Sequence, residues 1–145
     1  NTTWVGPPGR ATRLPGSGGG GDIASLARRH IVIMAHERRR LVERVDYVTS
    51  PGFGDGGDWR RRVGLPGGGP SAVITTLGLF RFEPTTREMI LASAHPGVTV
   101  ADVRAQTGWP LGTAPTVAET APPTAEELAV IRRFDPEGFW TRDRG

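Results

Sequence analysis

The sequence predicts an α/β fold, a mixed sheet with flanking helices, and three observations predict it. A short continuous apolar run, Ile31-Val32-Ile33-Met34-Ala35, suits a strand buried on both faces in a parallel sheet. Two strand-like stretches, Ser71 to Phe82 and Glu88 to Ala94, are joined by the polar turn Glu83-Pro84-Thr85-Thr86-Arg87, which reads as a β-hairpin. Helix starts accompany them. Asp22 precedes Ile23-Ala24-Ser25-Leu26-Ala27 as an N-cap, and Thr124 stands three residues before Glu127 in capping-box spacing. Helices and strands that alternate early and end in a hairpin imply a mixed sheet.

The elements follow in order. Asn1 to Val5 is β-prone, and Gly6 to Gly21 is a Pro/Gly-rich loop that ends in Gly16-Ser17-Gly18-Gly19-Gly20-Gly21. The helix after Asp22 and the apolar strand follow. Leu41-Val42 and Val45 to Thr49 read as a second strand region, and Ser50 to Pro70 as another long glycine-rich loop. After the hairpin, Thr99 opens a helix that Gly108 is expected to end. In the last helix Leu128, Ile131 and Phe134 recur at three-residue steps. No repeat of solenoid length is present, and residues 1–145 read as a single domain.

Composition excludes several chemistries. There is no Cys, which removes disulfides, thiolate nucleophiles and Cys-ligated zinc. All 18 basic residues are Arg. Without Lys there is no P-loop, no Schiff base and no Ser-x-x-Lys pair. Glu37 and Glu43 dilute the run Arg38-Arg39-Arg40, and Asp55 and Asp58 dilute Arg60-Arg61-Arg62. Nucleic-acid binding wants basic residues gathered on one face with aromatics between them, so no nucleic-acid partner is expected. A solvated or phosphate-facing role suits both runs better. No apolar run approaches the ~20 residues of a membrane span, and no charged-then-apolar leader is seen. The expected location is the cytoplasm.

Four motifs bear on chemistry. The glycines from Gly16 to Gly21 let backbone N–H groups approach a ligand and point together, ahead of a helix N-terminus. That makes an anion or oxyanion site, or equally a flexible linker. Gly16, Gly18 and Gly21 also satisfy G-x-G-x-x-G, with no clear strand before them. His36-Glu37-Arg38-Arg39-Arg40 begins like H-E-x-x-H, yet Arg40 stands where the second ligand belongs. No metal is expected, and the stretch reads as a charged loop with Glu37 and Glu43 partnering arginines. Ser50, Asp55 and His95 occur in a hydrolase-like order, but Pro51 and Gly52 describe a turn and no nucleophile elbow. His95, between a strand and a helix, is read as a satisfied group.

In order along the chain, these segments resemble a known family. Arg13-Leu14-Pro15-Gly16-Ser17-Gly18-Gly19 with Ile23-Ala24 resembles the glycine loop of class I coenzyme A transferase β subunits. His36-Glu37, Arg39-Arg40 and Val45-Asp46-Tyr47-Val48-Thr49-Ser50-Pro51-Gly52 resemble the glutaconate CoA-transferase type. Asp55-Gly56, Arg62-Val63-Gly64-Leu65-Pro66 and the stretch from Pro96 to Gly108 continue the match. Asn1-Thr2-Thr3 is similar to the tail of the family's Gly-Asn-x-Asn-Thr-Thr segment.

The resemblance implies a fold like part of a class I CoA-transferase β subunit. It implies a reaction in which a β-subunit glutamate attacks an acyl-CoA thioester, and CoA passes to a carboxylate through anhydride and glutamyl-CoA intermediates. Coenzyme A enters as the acyl-CoA substrate, with no tightly bound cofactor. Backbone donors stabilise each oxyanion, and the matching glycines are Gly18 and Gly19. Ser17 and Gly20 are then expected to line the substrate surface. The family's nucleophile segment lies upstream of the matching residues, so no glutamate here inherits that role. The chain is accordingly expected to be the C-terminal part of such a subunit, inactive alone, in a hetero-oligomer with an α subunit. Gly20 and Gly21 depart from the family, which has Ala or bulkier residues there. Two alternatives are a β subunit of a steroid-degrading CoA-thioester ring-opening hydrolase and a non-catalytic assembly module.

Overall fold

A computed structural model describes residues 4–13 and 16–141. The expectations placed on Asn1 to Thr3, and on Leu14 and Pro15, lie outside the described residues. β1 (Trp4–Val5) and β2 (Thr12–Arg13) pair antiparallel as a small separate ribbon. The main sheet has five strands in chain order, β3 (His30–Met34), β4 (Pro70–Thr75), β5 (Gly78–Phe82), β6 (Met89–Ala94) and β7 (Gly112–Glu119). β3 with β4 and β6 with β7 are parallel, whereas β4, β5 and β6 form an antiparallel meander. The sheet is mixed, as expected. The helices are α1 (Gly20–Leu26), α2 (Trp59–Arg62), α3 (Val100–Ala105) and α4 (Ala125–Phe134).

The core forms where β4, β5 and β6 meet α3. Val73, Phe80, Leu91, Val103 and Leu111 make the buried cluster, and Val32 and Met34 of β3 pack against it. Alternation decides the rest of β3. Ile31 and Ile33 face the other way and are 52% and 79% exposed. β3 is therefore an edge strand with one covered face, not the doubly buried strand that its apolar run predicts. Ile74, Leu79 and Ile90 share that outer face through the pairing register.

Several boundaries also differ. Ser71 to Phe82 is two strands. The Thr75 hydroxyl accepts the N–H groups of Leu77 and Gly78 at 3.2 Å each, which turns the chain back between them. The hairpin at Glu83 to Arg87 is present, with Phe82 opposite Met89. Val45 to Thr49 forms no strand, and Val42 makes only an isolated bridge to Gly108. The loop from Ser50 to Pro70 contains the single turn of α2 and yields Pro70 to β4. Gly108 does not end α3, which stops at Ala105. Gly108 instead sits where a Cβ would lie 2.6 Å from the Leu41 carbonyl oxygen.

β7 was not anticipated. Pro115 breaks its apolar pattern, and proline is tolerated because β7 is an edge strand. Both predicted capping residues outside the glycine region hold. Thr99 and Asp102 form a capping box on α3, and Thr124 and Glu127 form one on α4. The three-residue apolar steps of α4 meet no core: Ile131 is 44% and Phe134 85% exposed.

Candidate functional site

The glycine region begins with a tight turn. The Gly20 N–H donates to the Ser17 carbonyl at 2.9 Å, and the Ile23 N–H to the Gly19 carbonyl at 2.9 Å. Helix α1 thus starts at Gly20 with Gly19 as its N-cap, φ −68°, and Asp22 lies in the first turn. The expected cap at Asp22 is wrong by three positions. Glycine lets the chain turn without a side-chain cap. Asp22 still contributes a negative charge near the helix N-terminus.

The positive φ falls on Gly18, at +52°, and not on Gly19. A Cβ at Gly18 or at Gly19 would meet nothing within 4 Å, so both face open space. Among the described residues, neither Gly18 N–H nor Gly19 N–H donates to another group of the chain. Ser17, Gly18, Gly19 and Gly20 are all exposed. The four residues singled out from the sequence therefore form one continuous, open turn.

The other side of the turn is a wall that the sequence pattern did not assign to the site. A Cβ at Gly21 would lie 2.9 Å from the Thr49 carbonyl oxygen and 3.4 Å from the Ser17 hydroxyl. A Cβ at Gly20 would lie 3.8 Å from the Ser50 hydroxyl. The absence of a side chain at Gly21 is thus what allows α1 to lie against Thr49 and Ser50. The signal was present in the string from Val45 to Gly52, although as a strand it pointed elsewhere.

The two arginine runs resolve into separate roles. Glu37 pairs with Arg39 and, at 3.2 Å, with Arg40, and these bonds hold its carboxyl below the usual glutamate range. Arg62 pairs with Asp55 at 2.6 Å and Asp58 at 3.0 Å, and Arg61 with Asp58. These are solvated charges, as expected. Arg60 is not. It is buried, and its guanidinium donates only to main-chain carbonyls.

The histidines are occupied by structure. His36 is buried, bonded to the hydroxyls of Thr75 at 3.1 Å and Thr107 at 3.2 Å, and stacked 5.6 Å from Phe80. Burial pushes its pKa down from 6.5. His95 bonds the Thr75 carbonyl at 2.8 Å and the Thr120 hydroxyl at 3.1 Å. Its satisfied reading is correct, and both bonds tie it to the sheet rather than to Ser50 or Asp55. Among the described residues no group of three or more metal-ligating side chains converges. No helix there is long and apolar enough to cross a membrane.

Chemically, the exposed turn offers two unpaired N–H donors beside a fixed wall. Such donors can stabilise an oxyanion if they are preorganised. A groove of about 740 Å³, lined by Phe53, Arg60, Arg61, Leu65, Thr85 and Arg87, includes no residue of the turn.

The coenzyme A transferase family model matches residues 1–106. The chain is 42% identical over 136 residues to the β-type subunit of the 3-oxoadipate CoA-transferase of Pseudomonas knackmussii, covering 93% of this chain and 52% of that protein. It is 40% identical over 126 residues to the β-type subunit of the glutaconate CoA-transferase of Acidaminococcus fermentans, covering 86% of this chain and 47% of that protein. The crystal structure of the latter organism's glutaconate coenzyme A-transferase superimposes with a TM-score of 0.83 at 37% identity, over 99% of this chain and 55% of that chain. Similarity to the cholesterol ring-cleaving hydrolase IpdB subunit of Mycobacterium tuberculosis is 38% over 73 residues, 50% of this chain and 28% of that protein. The chain spans about half the length of the transferase subunits it matches. It belongs to the coenzyme A transferase family, and its mixed sheet with flanking helices is the fold of that family's β subunit.

Proposed function

We propose that these 145 residues are one domain of a CoA-transferase β subunit, acting with an α subunit in a cytoplasmic hetero-oligomer. The enzyme moves CoA between an acyl-CoA thioester and a carboxylic acid of the glutaconate type. The observation that carries this reading is the open turn: Gly18 at positive φ, with the N–H groups of Gly18 and Gly19 unpaired and facing free space. When a carboxylate attacks the thioester carbonyl, its oxygen becomes an oxyanion, and these donors are placed to receive it. The displaced thiolate then attacks the resulting anhydride, and the sequence runs in reverse on the acceptor acid. Ser17 and Gly20 border the same turn and complete the substrate surface.

The nucleophilic glutamate is proposed to come from outside these residues. Glu37 is tied to arginines, Glu83 to the N–H groups of Thr85 and Thr86, and Glu127 caps α4. The test is CoA exchange between glutaryl-CoA and acetate, measured for this chain alone and for a full-length β subunit with its α subunit. Exchange only in the pair supports the reading. Turnover by the chain alone overturns the placement of the nucleophile, and release of free acid without a new thioester overturns the transferase in favour of a hydrolase.

A further inference from the structure

Arg60 is a charged side chain only 6% exposed, and no carboxylate pairs with it among the described residues. Five carbonyl oxygens take its place. Nη2 donates to Ala24 and Ser25 at 3.0 Å each and to Pro66 at 3.3 Å. Nη1 donates to Gly52 at 2.9 Å, and Nε to Gly67 at 3.4 Å. A buried cation is costly unless hydrogen bonds compensate it, and the planar five-donor fork of arginine suits this set as an ammonium does not.

The acceptors are informative. Ala24 and Ser25 lie in the last turn of α1, where carbonyls lack helical partners and the dipole is negative. Gly52 closes the segment whose Thr49 and Ser50 wall the glycine turn. Little else fixes α1. It has seven residues, its one buried side chain is Ala24, and Ile23 and Leu26 are 58% and 63% exposed. The 66–68 loop closes behind it: a Cβ on Gly67 would lie 2.4 Å from the Ala27 carbonyl oxygen. One guanidinium thereby joins the element that carries the turn to the element that walls it.

We propose that Arg60 is a positioning residue for the oxyanion turn, setting the placement of Gly18 and Gly19 through α1 and the Gly52 segment. This rests on the transferase reading above. A misplacement of about 1 Å at a reacting centre can cost about a hundredfold in rate. Arg60→Lys keeps the charge but cannot bridge five carbonyls, and Arg60→Ala vacates a space shaped for a guanidinium.

The experiment uses the full-length β subunit with its α subunit. For Arg60→Lys the expected result is kcat lower by about a hundredfold with KM for acyl-CoA nearly unchanged. Amide hydrogen exchange should rise in residues 16–27 and 49–52 and stay unchanged in β4 to β6. Added guanidinium ion, at concentrations below denaturing, should partly restore turnover to Arg60→Ala and not to Arg60→Lys. Unchanged exchange and turnover in Arg60→Lys overturn the proposal. Exchange that rises across β4 to β6 as well, or unfolding of both variants, also overturns it, because Arg60 would then hold the whole fold. If the wild-type enzyme shows no CoA exchange, the transferase reading fails. The exchange pattern in residues 16–27 still decides whether Arg60 holds the turn.

Discussion

Residues 16–69 and residues 70–119 are held together by different forces. In the second stretch, Val73, Phe80, Leu91, Val103 and Leu111 form one apolar cluster. In the first, the buried residues are Ala24, His36, Leu41 and Arg60, and only Val32 and Met34 of β3 reach the cluster. There the chain is fixed by hydrogen bonds to main-chain carbonyls and by glycines at close approach. The difference shows how the fold divides labour. Apolar packing supplies stability, while the polar stretch holds an irregular turn with its N–H groups free. A turn buried in apolar surroundings could not leave donors unpaired without a large penalty.

The sharpest test of the packed half is Phe80→Ala. Phe80 is fully buried and stacks on His36. Its removal is expected to cost about 3–5 kcal/mol, read as a lower denaturation midpoint. A loss below about 1 kcal/mol would show that the cluster is not the centre of stability.

Gly19→Val tests the other half. The φ of −68° at Gly19 accepts a side chain without backbone strain, so the change adds only bulk in front of the donors. In the assembled enzyme we expect a loss of roughly 3–4 kcal/mol in transition-state stabilisation, a hundred- to a thousandfold in turnover. Acyl-CoA affinity and melting temperature should change little. A linker predicts near-silence, and turnover within a fewfold of wild type would remove the turn from the mechanism. Gly18→Ala is the complementary change. It does add strain, because Gly18 sits at φ +52°.

Acidification probes the contact between the halves, because His36 bonds Thr75 of β4 and Thr107 after α3. Its pKa in the folded chain is lowered from 6.5 by burial. Below 6.5 the unfolded chain therefore binds a proton that the folded chain refuses. His36 contributes its full stability above that value and loses it as pH falls. His30, also lowered by burial and by the nearby Arg60 charge, acts in the same direction. Melting temperature should decline from about pH 7 to about pH 5, and less steeply in His36→Gln. An equal slope in the variant would assign the acid sensitivity elsewhere.

Thr124→Ala should have the smallest effect. It removes the capping box of α4, worth about 1 kcal/mol, but α4 buries no residue. The expected outcome is fraying of α4, seen by hydrogen exchange, with the main transition unmoved. A shift of the whole melting curve would show that α4 is coupled to the sheet. The exposed Ile31 and Ile33 give a related expectation: the isolated chain should bind a hydrophobic dye.

Local chemistry was legible from the sequence wherever a few neighbouring residues decide the outcome. The hairpin at Glu83 to Arg87, both capping boxes outside the glycine region, the mixed sheet and the charged pairing of Glu37 follow from short-range patterns. The ordered strings from Arg13 to Gly108 were sufficient to indicate the family. Tertiary structure alone decided the remainder. An apolar run states that a strand is buried, but not on how many faces, and β3 became an edge because no described strand lies beyond it in the sheet. Thr75 ends β4 through its hydroxyl, which strand propensity does not register. Arg60 read as one of three solvated arginines, because the five carbonyls that bury it come from segments at residues 24–25, 52 and 66–67. Sequence could indicate that Gly18 and Gly19 are free to turn. Only the packing of α1 against Thr49, Ser50 and Arg60 determines which glycine takes the positive φ and where the donors point, because a glycine's own conformational freedom selects neither.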